Sequence, residues 1–516
     1  MIVHFTLEIR HSLSKEEFRH RILLAWSSLR VQHVLLMSKV HEDAFGQRDF
    51  VIELPKSKKE ILEETAKTVV FLEDYYNHVD ADDFHRHSLN VARIVNPSEC
   101  LSKLFILPLS KLPNGDQQLK IILVMGHQIC DGLSAYNWFS HFLRILNQPT
   151  QDMEREIEFF KSPENISSRL PPAQEDLYPT VGGTLARARW FWAIMRVLRH
   201  VQKTMSPTFV NPLRRSARLL EAVSFPPTYS KVFDYTPSRK PPLNTYHHNF
   251  SLSRFSTNRL IQLAREANVS VGAACFTLIG LSMMSLEEHL HPTIPLSQRL
   301  SFAASFPLNP RTFFNYTTPG DSCMLAFSDG VIMPFLPSDL PVEKRFRLIA
   351  KQVNRQLRQY QKRSKENGGK GSLEAHSPGR LLANGYLYQI ECVQGKLPEH
   401  RRSPNMNPQG GLPANTSQFG ATCGVSALGS TAHFLRPGMF DLNELANDGK
   451  NFVADFRTVK MGVRARDNEF LVGNFMDAEG ILGFGVSFDG NAISEENMEL
   501  WEEKMKGLLE PGQSRL

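Results

Sequence analysis

The stretch Leu119-Lys120-Ile121-Ile122-Leu123-Val124-Met125-Gly126-His127-Gln128-Ile129-Cys130-Asp131-Gly132, followed by the apolar run from Leu133 to Leu146, decides how this chain is read. The apolar residues before Gly126 have the length of a buried strand, and those after Gly132 have the length of a helix. The strand therefore delivers His127 to its end, and a turn containing Gly132 leads into the helix. The pattern H-x-x-x-D is weak by itself, because 18 histidines give roughly one match by chance. His78 and Asp82 are such a match, in an acidic stretch with no strand before it and no glycine after it. Only the His127 copy has the strand, turn and helix that fix an imidazole in a cleft.

Working outward, Val3, Phe5, Leu7 and Ile9 alternate as a strand. Ser14 and Glu17 then stand at capping-box spacing before Phe18, Ile22, Trp26 and Leu29 at helical spacing. A similar order recurs at Tyr246 to Leu252, with Ser256 as the expected cap of a helix carrying Leu260, Leu263 and Ala267. Between the two lie seven prolines in residues 205–245, a density that breaks helices and central strands. We therefore divide the chain into an N-terminal lobe (1–204), a Pro-rich crossover (205–245) and a C-terminal lobe (246–516). In the second lobe, Leu300 to Leu308 alternates as one strand and runs into Pro310-Arg311. Strands are expected near 452–464, 469–475 and 481–488, the last two as a hairpin across Asp477–Gly480, before a helix opening at Ser494. Residues 361–379 and 401–416 read as surface loops, with Lys and Arg of 361–370 available to phosphates.

The length of 516 residues excludes a single small binding module, and 41% hydrophobic with 22% charged residues excludes a disordered chain. A net charge of +6 supplies no field that demands nucleic acid. Ser270 to Met284 is too short and too diluted by Ser, Thr and Gly to span a bilayer, so a buried helix without integral membrane association is expected. Six scattered cysteines fit free thiols in a reducing compartment. A cytoplasmic location is expected; the terminal Ser514-Arg515-Leu516 resembles a peroxisomal address as the alternative. His78, Asp80, Asp82, Asp83, His85 and His87 read as a polar surface loop and no metal is expected; Arg187 to Arg196 reads as a helix packed on its lobe.

The block from His127 to Gly132, the strand ending at Phe306-Pro307-Leu308-Asn309-Pro310-Arg311, Val425-Ser426-Ala427-Leu428-Gly429 and the terminal hairpin and helix together resemble the H-x-x-x-D acyltransferase superfamily. That superfamily contains chloramphenicol acetyltransferase, peptide-synthetase condensation domains, plant acyltransferases and fungal alcohol acetyltransferases. Within it the chain is most similar to the trichothecene 15-O-acetyltransferases and related secondary-metabolite O-acetyltransferases. The resemblance implies an α/β fold of two chloramphenicol-acetyltransferase-like lobes with the active site in a tunnel between them. It departs from condensation domains at Gly126, where they carry a second histidine, and Gly483-Phe484-Gly485-Val486-Ser487 is at most a remnant of the plant D-F-G-W-G block.

The resemblance implies a CoA-dependent O-acyltransferase with acetyl-CoA or another acyl-CoA as co-substrate and a small lipophilic alcohol as acceptor; a monomer is the expected state, which the resemblance does not fix. His127 is the expected general base, since an ordinary imidazole pKa near 6.5 suits proton removal from an alcohol at neutral pH. Asp131 is expected to pair with Arg311 as a structural element beside Gly132, and Ser426 or backbone N–H groups to face the oxyanion. Cys130 reads as a small buried hydrophobe rather than a nucleophile. The rival readings are a condensation-like enzyme using a carrier-bound substrate and a catalytically silent binding protein.

Overall fold

In the computed structural model the described residues are 1–177 except 45–47 and 92–93, 207–361 except 221–222, 237–242, 312–313, 315, 317–319 and 329, and 421–511 except 447–449; within 178–206 only scattered positions are described. The expected loops at 361–379 and 401–416 and the terminal tripeptide therefore lie outside the described residues, apart from Gln361, as does half of Arg187–Arg196.

The first half contributes β1 (Ile2–His11), β2 (Val69–Phe71), β3 (Ser102–Ile106) and β4 (Gln117–Met125), with helices α1 (Lys15–Gln32), α2 (Ala81–Asn90) and α3 (Gly132–Leu146). The second contributes β5 (Thr245–Ser251), β6 (Phe302–Ser305), β7 (Val331–Met333), β8 (Cys423–Ser430), β9 (Phe452–Gly462), β10 (Phe470–Met476) and β11 (Leu482–Asp489). Its helices are α4 (Arg254–Ala267), α5 (Val271–Leu290), α6 (Val342–Gln361) and α7 (Glu495–Gly507). The strands form two main sheets, ordered β9-β1-β4-β3-β2 and β7-β6-β8-β10-β11-β5. Sheet membership does not follow chain order: β9, from the second half, pairs antiparallel along the whole of β1.

Local chemistry explains the boundaries. Ser14 and Glu17 close a reciprocal capping box on α1, and Ser494 caps α7. The cap of α4 is Ser253, not Ser256: Ser256 stands three residues on and supplies the N–H that the Ser253 hydroxyl accepts. The hairpin β10–β11 turns where the sequence places it, with Gly480 at φ +76°, a left-handed conformation that glycine takes without steric cost. The alternating run 300–308 is interrupted instead of continuous. It forms β6 and a two-residue piece at Pro307–Leu308, because Pro307 lacks the N–H that a ladder needs.

Each lobe has its own core. Phe5, Leu7, Trp26, Leu123 and Trp138 belong to the first; Phe302, Phe346, Phe484 and Trp501 belong to the second. Helix α5 is long and apolar enough to cross a membrane by composition, and 83% of its most apolar stretch is buried inside the protein. The acidic stretch expected as a surface loop folds instead as α2, capped by Asp80, with His85 and His87 buried. Burial of one face overrides its polar composition. Helix α2 also joins the lobes: Asn90 Nδ2 donates to the carbonyl of Thr245 (2.9 Å), and the Thr245 N–H donates back to Asn90 Oδ1 (2.5 Å).

Candidate active site

Strand β4 is buried along Ile121–Met125 and ends at Gly126, whose N–H is taken by the carbonyl of Leu101. The chain then turns through His127, Gln128 and Ile129 before α3 begins. Ile129 and Cys130 are buried whereas His127 is exposed, so the turn is anchored by its apolar members and offers the imidazole outward. His127 Nδ1 lies 2.8 Å from the carbonyl oxygen of Cys130. A carbonyl has no hydrogen to give, so Nδ1 carries the proton, and in the neutral ring Nε2 bears the lone pair.

Asp131 does not reach the imidazole in any described hydrogen bond. It is the N-cap of α3, accepting from the Ser134 N–H (2.9 Å), and the Ser134 hydroxyl lies 2.7 Å from the same oxygen. Its other oxygen accepts from Arg311 Nη2 (2.7 Å) and from the N–H of Met324 (3.1 Å). Asp131 is 3% exposed and Arg311 5%, so the pair is fully inside the protein. Arg311 also donates to the Ser322 carbonyl (2.6 Å) and to Asn309 Oδ1 (3.2 Å). These extra bonds offset the desolvation that a buried ion pair otherwise suffers.

The segment Gly320–Leu325 is drawn onto α3 by more than this pair. The Ser134 hydroxyl lies 2.9 Å from the Ser322 carbonyl, Asn137 donates to the Gly320 carbonyl (2.8 Å), and beyond α3 the Gln174 amide exchanges two bonds with the backbone of Leu325 (2.8 and 2.9 Å). Asp131, Ser134 and Asn137, spaced three apart on one helix face, thus meet backbone groups of Met324, Ser322 and Gly320, spaced two apart. Sequence reasoning named Asp131 and Arg311 but none of the backbone partners.

Ser426 lies half-buried on β8, and its carbonyl accepts from Asn474 Nδ2 (3.3 Å). No described hydrogen bond joins it to His127. Its strand nevertheless borders the motif. Cys423 and Val425 belong to the second core, while Leu428 packs on the first and comes within 2.9 Å of where a Cβ on Gly132 would stand. The site is therefore a meeting of β4, α3, Arg311, the Gly320–Leu325 segment and β8 at the boundary between lobes.

Burial pushes the Cys130 thiol far above its ordinary value, so it holds no thiolate for attack at neutral pH. Among the described residues no group of three or more His, Cys, Asp or Glu side chains is arranged to hold a metal ion.

No family model and no curated protein matches the chain. Solved structures do. The trichothecene 15-O-acetyltransferase TRI3 from Fusarium sporotrichioides superposes with a TM-score of 0.66 at 11% identity, over 100% of this chain and 90% of that one. The condensation domain of the monacolin K polyketide synthase MokA gives 0.51 at 10% identity, over 98% and 90% of the two chains. The epimerization domain of the third module of tyrocidine synthetase B gives 0.50 at 13%, again over 98% and 90%. At such identities the likeness speaks for architecture alone, and the chain has the two-lobed α/β fold of these acetyltransferase and condensation-type structures.

Proposed function

We propose that the protein is a CoA-dependent O-acyltransferase that moves an acyl group, acetyl first among them, from acyl-CoA to a hydroxyl of a small lipophilic metabolite such as a terpenoid. The observation that carries this reading is the hydrogen bond from His127 Nδ1 to the Cys130 carbonyl. It leaves Nε2 as a bare acceptor on an exposed turn at the lobe boundary, in a fold that hosts acyl transfer in other proteins. In the proposed reaction, His127 Nε2 takes the hydroxyl proton as the alcohol oxygen attacks the thioester carbonyl. The tetrahedral intermediate collapses, the C–S bond breaks, and the leaving thiolate recovers the proton from the imidazolium. No acyl-enzyme forms. The strand of Ser426 is our candidate for oxyanion contacts, by its hydroxyl or by neighbouring N–H groups. The Asp131–Arg311 pair holds the frame of the site without touching the reacting atoms.

A condensation-like reading, with the acyl group or acceptor on a carrier protein, shares the fold; Gly126 in place of a second histidine weighs against it. The test is thiol release from acetyl-CoA with a panel of terpenoid and polyketide alcohols, comparing wild type with His127→Ala, each checked for folding. We expect an acetylated product in the wild type and a loss of at least about 10²-fold in the variant. Equal release by both proteins overturns His127 as base. Transfer only from carrier-bound acyl groups supports the rival, and ligand binding without turnover in either assay supports a silent binding protein.

A further inference from the structure

We propose that Ser134 is a positioning residue for His127, acting through the peptide group that joins Cys130 to Asp131. The two ends of that one peptide are held by different partners. Its carbonyl oxygen accepts from His127 Nδ1 (2.8 Å), and its N–H donates to the Ser134 hydroxyl oxygen (2.9 Å). The Ser134 hydroxyl has a single hydrogen, which it directs at Asp131 Oδ1 (2.7 Å) or the Ser322 carbonyl (2.9 Å). The run from imidazole to peptide to hydroxyl to a carboxylate or carbonyl is a continuous hydrogen-bonded chain. Its members after the imidazole are buried: Cys130 and Ser134 are 0% exposed and Asp131 3%.

Two consequences follow from elementary hydrogen-bond physics. Donation from the peptide N–H to Ser134 polarises the amide, which makes its carbonyl a better acceptor for the Nδ1 proton. The same bond fixes the plane of the peptide and with it the direction in which the imidazole is aimed. The bond from the Asp131 N–H to the Ser134 hydroxyl is also the return half of a capping box on α3, whose other half, from the Ser134 N–H to Asp131 Oδ1, needs only the Ser134 backbone. The side chain therefore serves the helix end and the peptide at once, and the state of the His127 ring separates the two roles.

The kinetic part of this inference rests on the acyl-transfer reading, whereas the state of the ring does not. The experiment compares wild type, Ser134→Ala and Asn137→Ala, all with 15N-labelled histidine and with His127 assigned by its loss in His127→Ala. Asn137→Ala removes a neighbouring tie to the Gly320 carbonyl but leaves the peptide untouched. In wild type and Asn137→Ala the nitrogen resonances of His127 should report a proton on Nδ1. In Ser134→Ala they should report a mixture of tautomers, with hydrogen exchange at the Asp131 amide faster by at least about tenfold. In the transfer assay kcat should fall about tenfold, with KM for acetyl-CoA changed by less than about twofold. If Ser134→Ala does not fold, Ser134→Cys keeps the volume with a weaker acceptor and should shift the same resonances in the same direction. A wild-type proton on Nε2, or a folded Ser134→Ala with unchanged His127 resonances, overturns the inference. Absence of transfer from every donor would instead overturn the proposed function, and the nitrogen comparison would still decide the role of Ser134.

Discussion

Gly320 lies against the backbone of Ser134: a Cβ at residue 320 would stand 3.0 Å from the Ser134 nitrogen and 3.3 Å from the Leu133 carbonyl carbon. Backbone atoms inside a capped helix cannot swing aside as a side-chain tip can. Gly320→Ala should therefore push the 320–325 segment off α3, weaken the Asn137 bond and cost about 1–3 kcal/mol. Chemical denaturation checks this. Gly272→Ala is the contrast, since a Cβ there has no neighbour nearer than the Ser270 hydroxyl at 4.0 Å, and it should be neutral or stabilise by up to about 1 kcal/mol.

Removal of either member of the Asp131–Arg311 pair leaves a charge buried without its partner. Asp131→Ala and Arg311→Ala should each cost about 3–5 kcal/mol. The double variant should cost clearly less than the sum, because the second change removes the charge orphaned by the first. A double-mutant cycle on unfolding free energies measures the coupling, and additive losses would refute it.

Acid should weaken the protein through buried histidines on and beside α2. Burial, helped by Lys460 and Lys120 against the pull of Asp82, lowers the pKa of His4 from 6.5 to about 4. Burial, then His247, His4 and Lys460, holds His85 well below the same value. As pH falls through 6.5 the unfolded chain takes up protons that the folded imidazoles refuse, so stability drops, by up to about 1.4 kcal/mol per pH unit for each residue. The loss from His4 levels off near pH 4, where its folded form also protonates. Thermal unfolding between pH 7.5 and 5 should show this slope in wild type and a shallower one in His85→Leu.

Cys130 sits inside the motif, so alkylation discriminates it from the neighbouring histidine as the working group. With its thiol raised by burial, Cys130 should remain unmodified by iodoacetamide at pH 8 in the folded protein. Cys130→Ala should retain acyl transfer, because the carbonyl that holds His127 belongs to the backbone. Mass spectrometry of the alkylated protein and the thiol-release assay report the two outcomes.

The sequence carried the local devices well: the strand into His127, the capping box at Ser14 and Glu17, and the hairpin across Asp477–Gly480 follow from period and turn chemistry. The resemblance carried the distant contact between Asp131 and Arg311, which no spacing rule contains. What escaped was tertiary. The pairing of β9 with β1 depends on strand partners about 450 residues apart, for which apolar alternation has no address. The helix containing His85 and His87 escaped because its polar residues hide one buried face, packed on Phe105 and Phe233 through Phe84. The partners of Asp131 and Ser134 on residues 320–325 are backbone groups, and backbone groups leave no mark in a sequence.

The placement of Phe452–Gly462 along the whole of Ile2–His11 makes the two halves inseparable as folding units. A gene cut in the Pro-rich crossover would yield a first fragment with its longest strand bare along one edge, the outward N–H and C=O groups of a ten-residue strand left without their partners and flanked by apolar side chains. Such a fragment should aggregate alone and be rescued only when the second is made beside it. A split version of this protein would therefore work as a reporter of proximity, since neither piece can complete the first sheet without the other.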